Sequence, residues 1–409
     1  MSGTIPTDQS PFAVQWVLPA TWWRSSFEGV VMKRLAIVSV FFLFPFVIAA
    51  AERFPVAETL EPYIKNGELP GMVTVIATKD TVLQIDAIGY ADIETEQPMK
   101  ADTVFWIASQ TKPVTAVAVM ILVDEEKLSL TEPVTKYLPE LANLKVVAET
   151  EGNRTVLVPV DKPITMEMLL SHTAGLEFLT PFQSKHAIDS LPLEQHVTTI
   201  VMTPLRTQPG AAYHYSNIGI ALAGAVVERI TEMPFEEFLE KRIFEPLGMA
   251  ETTFFPDAGQ LNRLATTYSF DREKSQLVSS QSNLITYPLD KRRFAEPGGG
   301  LFSTPNDLVK FFQMLQGNGE LGGRRILSEA AVQEIRTRHT GALNIPYGLG
   351  VVTNDGVYGH GGALGTDAQV NTNNGRVLLY FIQHQGLAKS EEAKREFFRI
   401  GNLPSSNLP

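Results

Sequence analysis

Trp106-Ile107-Ala108-Ser109-Gln110-Thr111-Lys112-Pro113-Val114-Thr115 is the stretch on which the reading of this chain turns. Proline is tolerated in the first turn of a helix and rarely later, so Pro113 marks a helix that starts just before it. Val114, Val117, Ala118, Ile121 and Leu122 then fall on one face at helical spacing. Three residues along a helix give about 4.5 Å of rise and about 60° of offset, which sets Lys112 beside the Ser109 hydroxyl. A serine is a weak nucleophile until a base takes its proton. A lysine becomes that base once desolvation favours its neutral form. The same residues also suit a helix-capping serine with a solvated lysine, because a chain this long holds roughly one or two Ser-x-x-Lys matches by chance. This is the only one in the sequence.

Two further stretches bear on that choice. Tyr215-Ser216-Asn217 follows the turn-like Gln208-Pro209-Gly210 and precedes a helical pattern over 218–231. A loop tyrosine aimed into a cleft can carry a proton between Ser109 and a leaving group, and Asn217 can hold a substrate amide. The plainer alternative is a helix cap at Ser216 or Asn217 with a packed tyrosine. Tyr358-Gly359-His360-Gly361-Gly362-Ala363 reads as the edge of a strand, where glycines mark the close approach of a backbone or ligand and His360 adds a donor. The backbone N–H of Ala363, paired with that of Ser109, would make an oxyanion hole. A glycine-rich hairpin with a surface histidine is the competing reading.

Outward from these motifs, 71–78 and 82–90 read as an antiparallel hairpin across Lys79-Asp80-Thr81. Two strands cannot stand alone, and their partners are expected at 348–353, 356–360, 367–371 and 377–383. Between those ends the pattern is helical over 218–231, 235–244, 307–315 and 329–338, with Thr304 and Pro305 starting the third of these. The expected fold class is α+β: an antiparallel sheet flanked by helices, built from about 55–115 and 295–400, with a helical second part over about 116–294.

In the order Ser-x-x-Lys, Tyr-x-Asn, His-x-Gly, the chain resembles the serine β-lactamase and penicillin-binding-protein superfamily. Within it, the likeness is to the branch of class C β-lactamases, D-alanyl-D-alanine carboxypeptidases and β-lactamase-like esterases. The resemblance spans roughly 55–400 and also takes in Leu128-Ser129-Leu130, Leu169-Leu170-Ser171-His172-Thr173-Ala174-Gly175-Leu176 and Gly298-Gly299-Gly300-Leu301-Phe302-Ser303-Thr304. It implies a β-lactamase/transpeptidase-like fold with a cleft between sheet and helical part. Ser109 is then the acylated nucleophile, with Lys112 and Tyr215 as its base network. Asn217, His360, Gly361 and Gly362 would meet substrate, and the N–H groups of Ser109 and Ala363 would form the oxyanion hole. His172 is expected to stabilise a buried turn. Many β-lactamases carry Lys-Thr-Gly where this chain has His360, Gly361 and Gly362, so the carboxylate receptor is weakened. That favours an esterase over an efficient β-lactamase, with a D-alanyl-D-alanine carboxypeptidase or β-lactamase as the alternative. A non-catalytic binder of cell-wall peptides is the alternative of another class. No serine has the Gly-x-Ser-x-Gly setting of an α/β-hydrolase.

Composition narrows the partners. The net charge of -11 argues against a nucleic-acid surface. Cysteine is absent, which removes disulfides and thiolate chemistry, and the seven histidines lack helical metal-ligand spacing. No metal and no cofactor is expected, and the partner is a small-molecule ester, amide or peptide. Met32-Lys33-Arg34 opens a charged segment, 35–51 is almost wholly apolar, and Ala49-Ala50-Ala51 offers small residues for cleavage. Residues 32–51 are expected to be a signal peptide that exports the protein to the periplasm or beyond, an uncleaved anchor being the one route to a membrane. Because such signals start at the N-terminus, residues 1–31 are expected to be an upstream extension and Met32 the true start.

Overall fold

The computed structural model describes residues 53–404, apart from 288, 290 and 291. The expected extension at 1–31 and signal peptide at 32–51 lie outside the described residues. The described residues pack as one compact unit. Its frame is a seven-stranded antiparallel sheet of β1 (Gly71–Ala77), β2 (Val82–Asp92), β3 (Gln97–Pro98), β4 (Val352–Asn354), β5 (Val357–Gly361), β6 (Asp367–Asn371) and β7 (Arg376–Phe381). The spatial order is β4-β5-β6-β7-β1-β2-β3, so the N-terminal hairpin joins the C-terminal strands where β1 pairs with β7, with Val75 opposite Leu379.

Side chains alternate across a strand, and β1 buries both sets. Val73, Val75 and Ala77 enter the main core with α2 (Thr111–Asp124), α3 (Asn217–Thr231), α4 (Pro305–Gln316) and α5 (Glu329–Arg336). Met72 and Ile76 enter a second core against α1 (Val56–Lys65) and α6 (Ala388–Gly401), including Leu60 and Phe397. Each of the larger side chains among these contributes about 1.5–3 kcal/mol through burial, which fixes the register of the central strand. The two terminal helices also meet through the Tyr63 hydroxyl, 3.1 Å from Glu392 Oε1.

The sequence gives α2 one apolar face, but residues 111–122 are buried on every side. The helix lies between the sheet and the helical part, touching α3, α5 and β5, and a helix in that place has no solvent face. Lys112 is therefore carried into the interior. Boundaries elsewhere shift modestly. The strand expected at 348–353 is confined to β4, because Gly350 holds φ +66° and its backbone presses on Lys112: a Cβ there would lie 2.7 Å from the Lys112 carbonyl oxygen. The middle is not helical throughout, since Lys145–Glu151 and Arg154–Pro159 form a mostly exposed hairpin. The helix expected over 235–244 changes to a wider π turn at Glu240–Phe244.

Candidate active site

Ser109 stands in a single 3-10 turn, Ala108–Gln110, immediately before α2. Ala108 is held at φ +46°, a strained setting for a residue with a Cβ. The strain is supported by two pinned flanks. Trp106 pairs with Phe302, and the Ile107 N–H donates to the Leu301 carbonyl at 3.0 Å. The Thr111 hydroxyl closes the turn, donating to the Ala108 carbonyl at 2.7 Å while accepting from the Leu301 N–H at 3.2 Å. Ser109 is itself only half-buried, so its hydroxyl faces a cleft from a rigid base.

Lys112 Nζ has three neighbours: the Gly298 carbonyl at 2.6 Å, Asn217 Oδ1 at 2.7 Å and Ser109 Oγ at 3.1 Å. The two carbonyl oxygens can only accept, so they take two N–H donors. A neutral amine then keeps one lone pair, and it points at the Ser109 hydroxyl. Burial favours that neutral state and brings the Lys112 pKa down to about 7, with Glu296 acting against the shift. The face of the Tyr215 ring covers the amine, with Nζ 4.7 Å from the ring centroid.

Tyr215 and Asn217 are positioned by the start of α3. The Ser216 side chain caps the helix, accepting from the Gly219 N–H at 3.0 Å and donating to the Glu177 carbonyl at 2.6 Å. Tyr215 thus directly precedes the extended cap residue, and Asn217 opens the first helical turn. Burial raises the Tyr215 pKa, and a hydrogen bond with Ser109 opposes this. The phenol stays protonated at neutral pH, which suits it to give a proton rather than take one. The Asn217 carbonyl is spent on Lys112, so its amide N–H groups are the end left for a ligand.

His360 is the expected residue whose setting differs most from the sequence picture. It is buried, with Nδ1 2.6 Å from the Gly361 carbonyl and Nε2 3.0 Å from the Tyr347 hydroxyl, while the Tyr215 hydroxyl lies 3.4 Å from that same Nε2. Both ring nitrogens are engaged within the protein, and the ring backs Tyr215. Burial and the Lys112 charge take its pKa down to about 3, so it remains neutral. Gly362 lies against the serine turn, where a Cβ would come within 2.5 Å of the Ile107 carbonyl oxygen. Gly361 is different: a Cβ there meets nothing nearer than Asp367 Oδ2 at 3.5 Å. The Thr366 hydroxyl is buried and directed at the Ile107 carbonyl, 3.4 Å away. The N–H groups of Ser109 and Ala363 donate to no acceptor among the described residues.

Sequence reasoning did not single out Glu296 or Tyr347. Glu296 is fully buried behind the glycine run. Its Oε1 accepts from the Gly298 N–H at 3.0 Å and so fixes the carbonyl that holds Lys112, while Oε2 lies 3.6 Å from His196 Nδ1. Burial drives its pKa up to about 8. A carboxyl directly before Pro297-Gly298-Gly299-Gly300 was the one available signal. Tyr347 gives no local signal at all. Arg293, which stands shortly before the glycine run, is buried with its Nε 2.6 Å from Asp189 Oδ2, so its charge is paired within the protein. No group of three His, Asp or Glu side chains among the described residues is placed to hold a metal ion.

A serine held against a buried lysine whose burial favours the neutral amine, at the head of a helix and with a protonated tyrosine above both, defines a serine acyl hydrolase of the antiparallel-sheet type. The chain belongs to the beta-lactamase family, whose model matches residues 56–400. It is 35% identical over 353 residues to Protein Rv1367c of Mycobacterium tuberculosis, covering 78% of this chain and 86% of that one. It is also 32% identical over 259 residues to the lovastatin esterase of Penicillium rubens, covering 60% of this chain and 62% of that one. Among solved structures, EstCE1, a hydrolase with promiscuous acyltransferase activity, shares the fold with a TM-score of 0.71 at 22% identity, covering 85% of this chain and 96% of that one.

Proposed function

We propose that this serine hydrolase is an exported carboxylesterase that cleaves uncharged esters through an acyl-enzyme on Ser109. Lys112 takes the Ser109 proton as Oγ attacks the ester carbonyl, and the N–H groups of Ser109 and Ala363 receive the developing oxyanion. Collapse breaks the bond to the alcohol, which leaves with a proton delivered by Tyr215, and Lys112 returns the serine proton to the phenolate. Water then attacks the acyl carbonyl and loses a proton to the neutral Lys112 amine; as the acid is released that proton passes to Oγ, which restores Ser109, Lys112 and Tyr215. Asn217 and the edge at Gly361 and Gly362 border the bound ester.

The observation that carries the preference for uncharged esters is that His360, Thr366 and Arg293, the described groups that could receive a carboxylate at the His360-Gly361-Gly362 edge, are engaged within the protein. His360 has spent both nitrogens, the Thr366 hydroxyl is turned to the Ile107 carbonyl, and Arg293 is paired with Asp189. Losing charge-assisted contacts costs about 1.5–3 kcal/mol, or roughly ten- to a hundredfold in binding. The similarity to the lovastatin esterase points the same way. Export rests on the segment Lys33 to Ala51 in the sequence.

Turnover of a short-chain nitrophenyl ester, a chromogenic cephalosporin and a peptide ending in D-alanyl-D-alanine tests the substrate class. The ester should give much the highest kcat/KM. A higher value for the cephalosporin or the peptide would replace the esterase reading with a β-lactamase or carboxypeptidase.

A further inference from the structure

The hydrogen bonds behind Tyr215 have a polarity that two backbone groups decide. At one end the Ser216 N–H, which can only donate, points at His172 Nδ1 from 3.1 Å. That nitrogen is therefore bare, and in the neutral ring the proton is on Nε2, 3.0 Å from the Tyr347 hydroxyl. At the other end the Gly361 carbonyl, which can only accept, lies 2.6 Å from His360 Nδ1. That nitrogen carries the proton, and His360 Nε2 is bare. Tyr347 stands between the two rings, accepting from His172 Nε2–H and donating to His360 Nε2 at 3.0 Å. Its phenol is almost fully buried, with the His172 ring centroid 4.8 Å away.

Only one lone pair is available on His360 Nε2, and two hydroxyls face it. Tyr347 lies at 3.0 Å and Tyr215 at 3.4 Å, so the nearer donor occupies the acceptor. The Tyr215 proton is then left to the side of the ring where Ser109 lies. We propose that Tyr347 is a positioning residue: it saturates His360 and thereby aims the Tyr215 hydroxyl proton at the reacting centre. Without the Tyr347 hydroxyl, the bare nitrogen of His360 captures the Tyr215 proton and turns it away from the leaving group.

The proposal rests on Ser109 being the acylated nucleophile, and the test separates the two. Tyr347→Phe removes one oxygen and keeps the ring. It should lower kcat for a nitrophenyl ester roughly ten- to a hundredfold, less than the roughly 10²–10⁴-fold that a general acid supplies in full because Tyr215 is misaimed and not lost, while KM stays within about twofold. His360→Leu removes the competing acceptor, so it should cost less than about tenfold. In the His360→Leu background Tyr347→Phe should change kcat by less than about twofold. A residue that merely supports the fold would give equal losses in both backgrounds, and that result overturns the proposal. So does an unchanged kcat in Tyr347→Phe. If Tyr347→Phe does not fold by thermal melting, His360→Leu decides alone, and a loss as large as that of Tyr215→Phe refutes the idea. Fluorophosphonate labelling of the parent protein addresses the underlying reading: no label on Ser109 removes that reading itself, whereas labelling with an additive cycle removes only the role of Tyr347.

Discussion

Asn217 holds Lys112 by its side-chain carbonyl at 2.7 Å, and this contact sets which end of each side chain remains for chemistry. The amide presents its N–H groups to the cleft. The amine, bound also to the Gly298 carbonyl, presents its lone pair to Ser109.

Ser109→Ala should abolish both labelling by a fluorophosphonate and ester turnover. The Ser109 hydroxyl caps no helix and makes no backbone contact, so unfolding free energy should change by no more than about 1 kcal/mol. Ester hydrolysis by pure mutant protein would refute the assignment of the nucleophile.

Lys112→Ala and Tyr215→Phe should each be severe, and the double variant little worse than either, because the amine and the phenol serve one proton path. Rates of all three variants on the same ester give the cycle. Losses that add fully in log rate would count against a shared path.

The acid limb of kcat/KM should fall near pH 7, far below the ordinary lysine range, because Lys112 must be neutral to accept the Ser109 proton. Glu296 raises the Lys112 pKa, so Glu296→Gln should move that limb to lower pH. Stability should respond as well. The Glu296 pKa rises from 4.5 to about 8 on folding, so its burial costs nothing below the lower value and its full amount above the higher. The melting temperature of Glu296→Gln relative to the parent should therefore increase as the pH rises from 4.5 to about 8. A limb that moves upward, or a constant difference in melting temperature, would contradict this assignment.

Gly361→Thr should be tolerated, because a Cβ there meets only ordinary contacts, and it should narrow the gap between ester and cephalosporin by restoring a hydroxyl at the strand edge. The same change at Gly362 should disable the enzyme, because its Cβ would strike the Ile107 carbonyl behind the nucleophile. Comparing the two variants on both substrates checks the pair. An unchanged ratio for Gly361→Thr would place the substrate carboxylate elsewhere.

What could be read from the sequence were relations within a few residues. Ser109 and Lys112 are neighbours on one helical turn, Tyr215 and Asn217 flank one cap, and the strands show their own alternation. His360 was legible as part of the site and not in its orientation, since only tertiary packing brings Tyr347 to its Nε2. Tyr347 touches His172 across 175 positions of chain, a spacing that carries no periodic signal. Glu296 is hidden for a related reason: an acidic residue before a glycine run reads as solvated loop until the fold closes over it.

The pairing of β1 with β7 has a consequence for how the molecule comes into being. As the chain emerges during synthesis, Ser109 and Lys112 precede β7 and the strand that bears His360 by the whole helical part. Contacts so far apart in sequence close late, and folding dominated by them is slow. The setting of the nucleophile is therefore complete only once the later strands have joined β1.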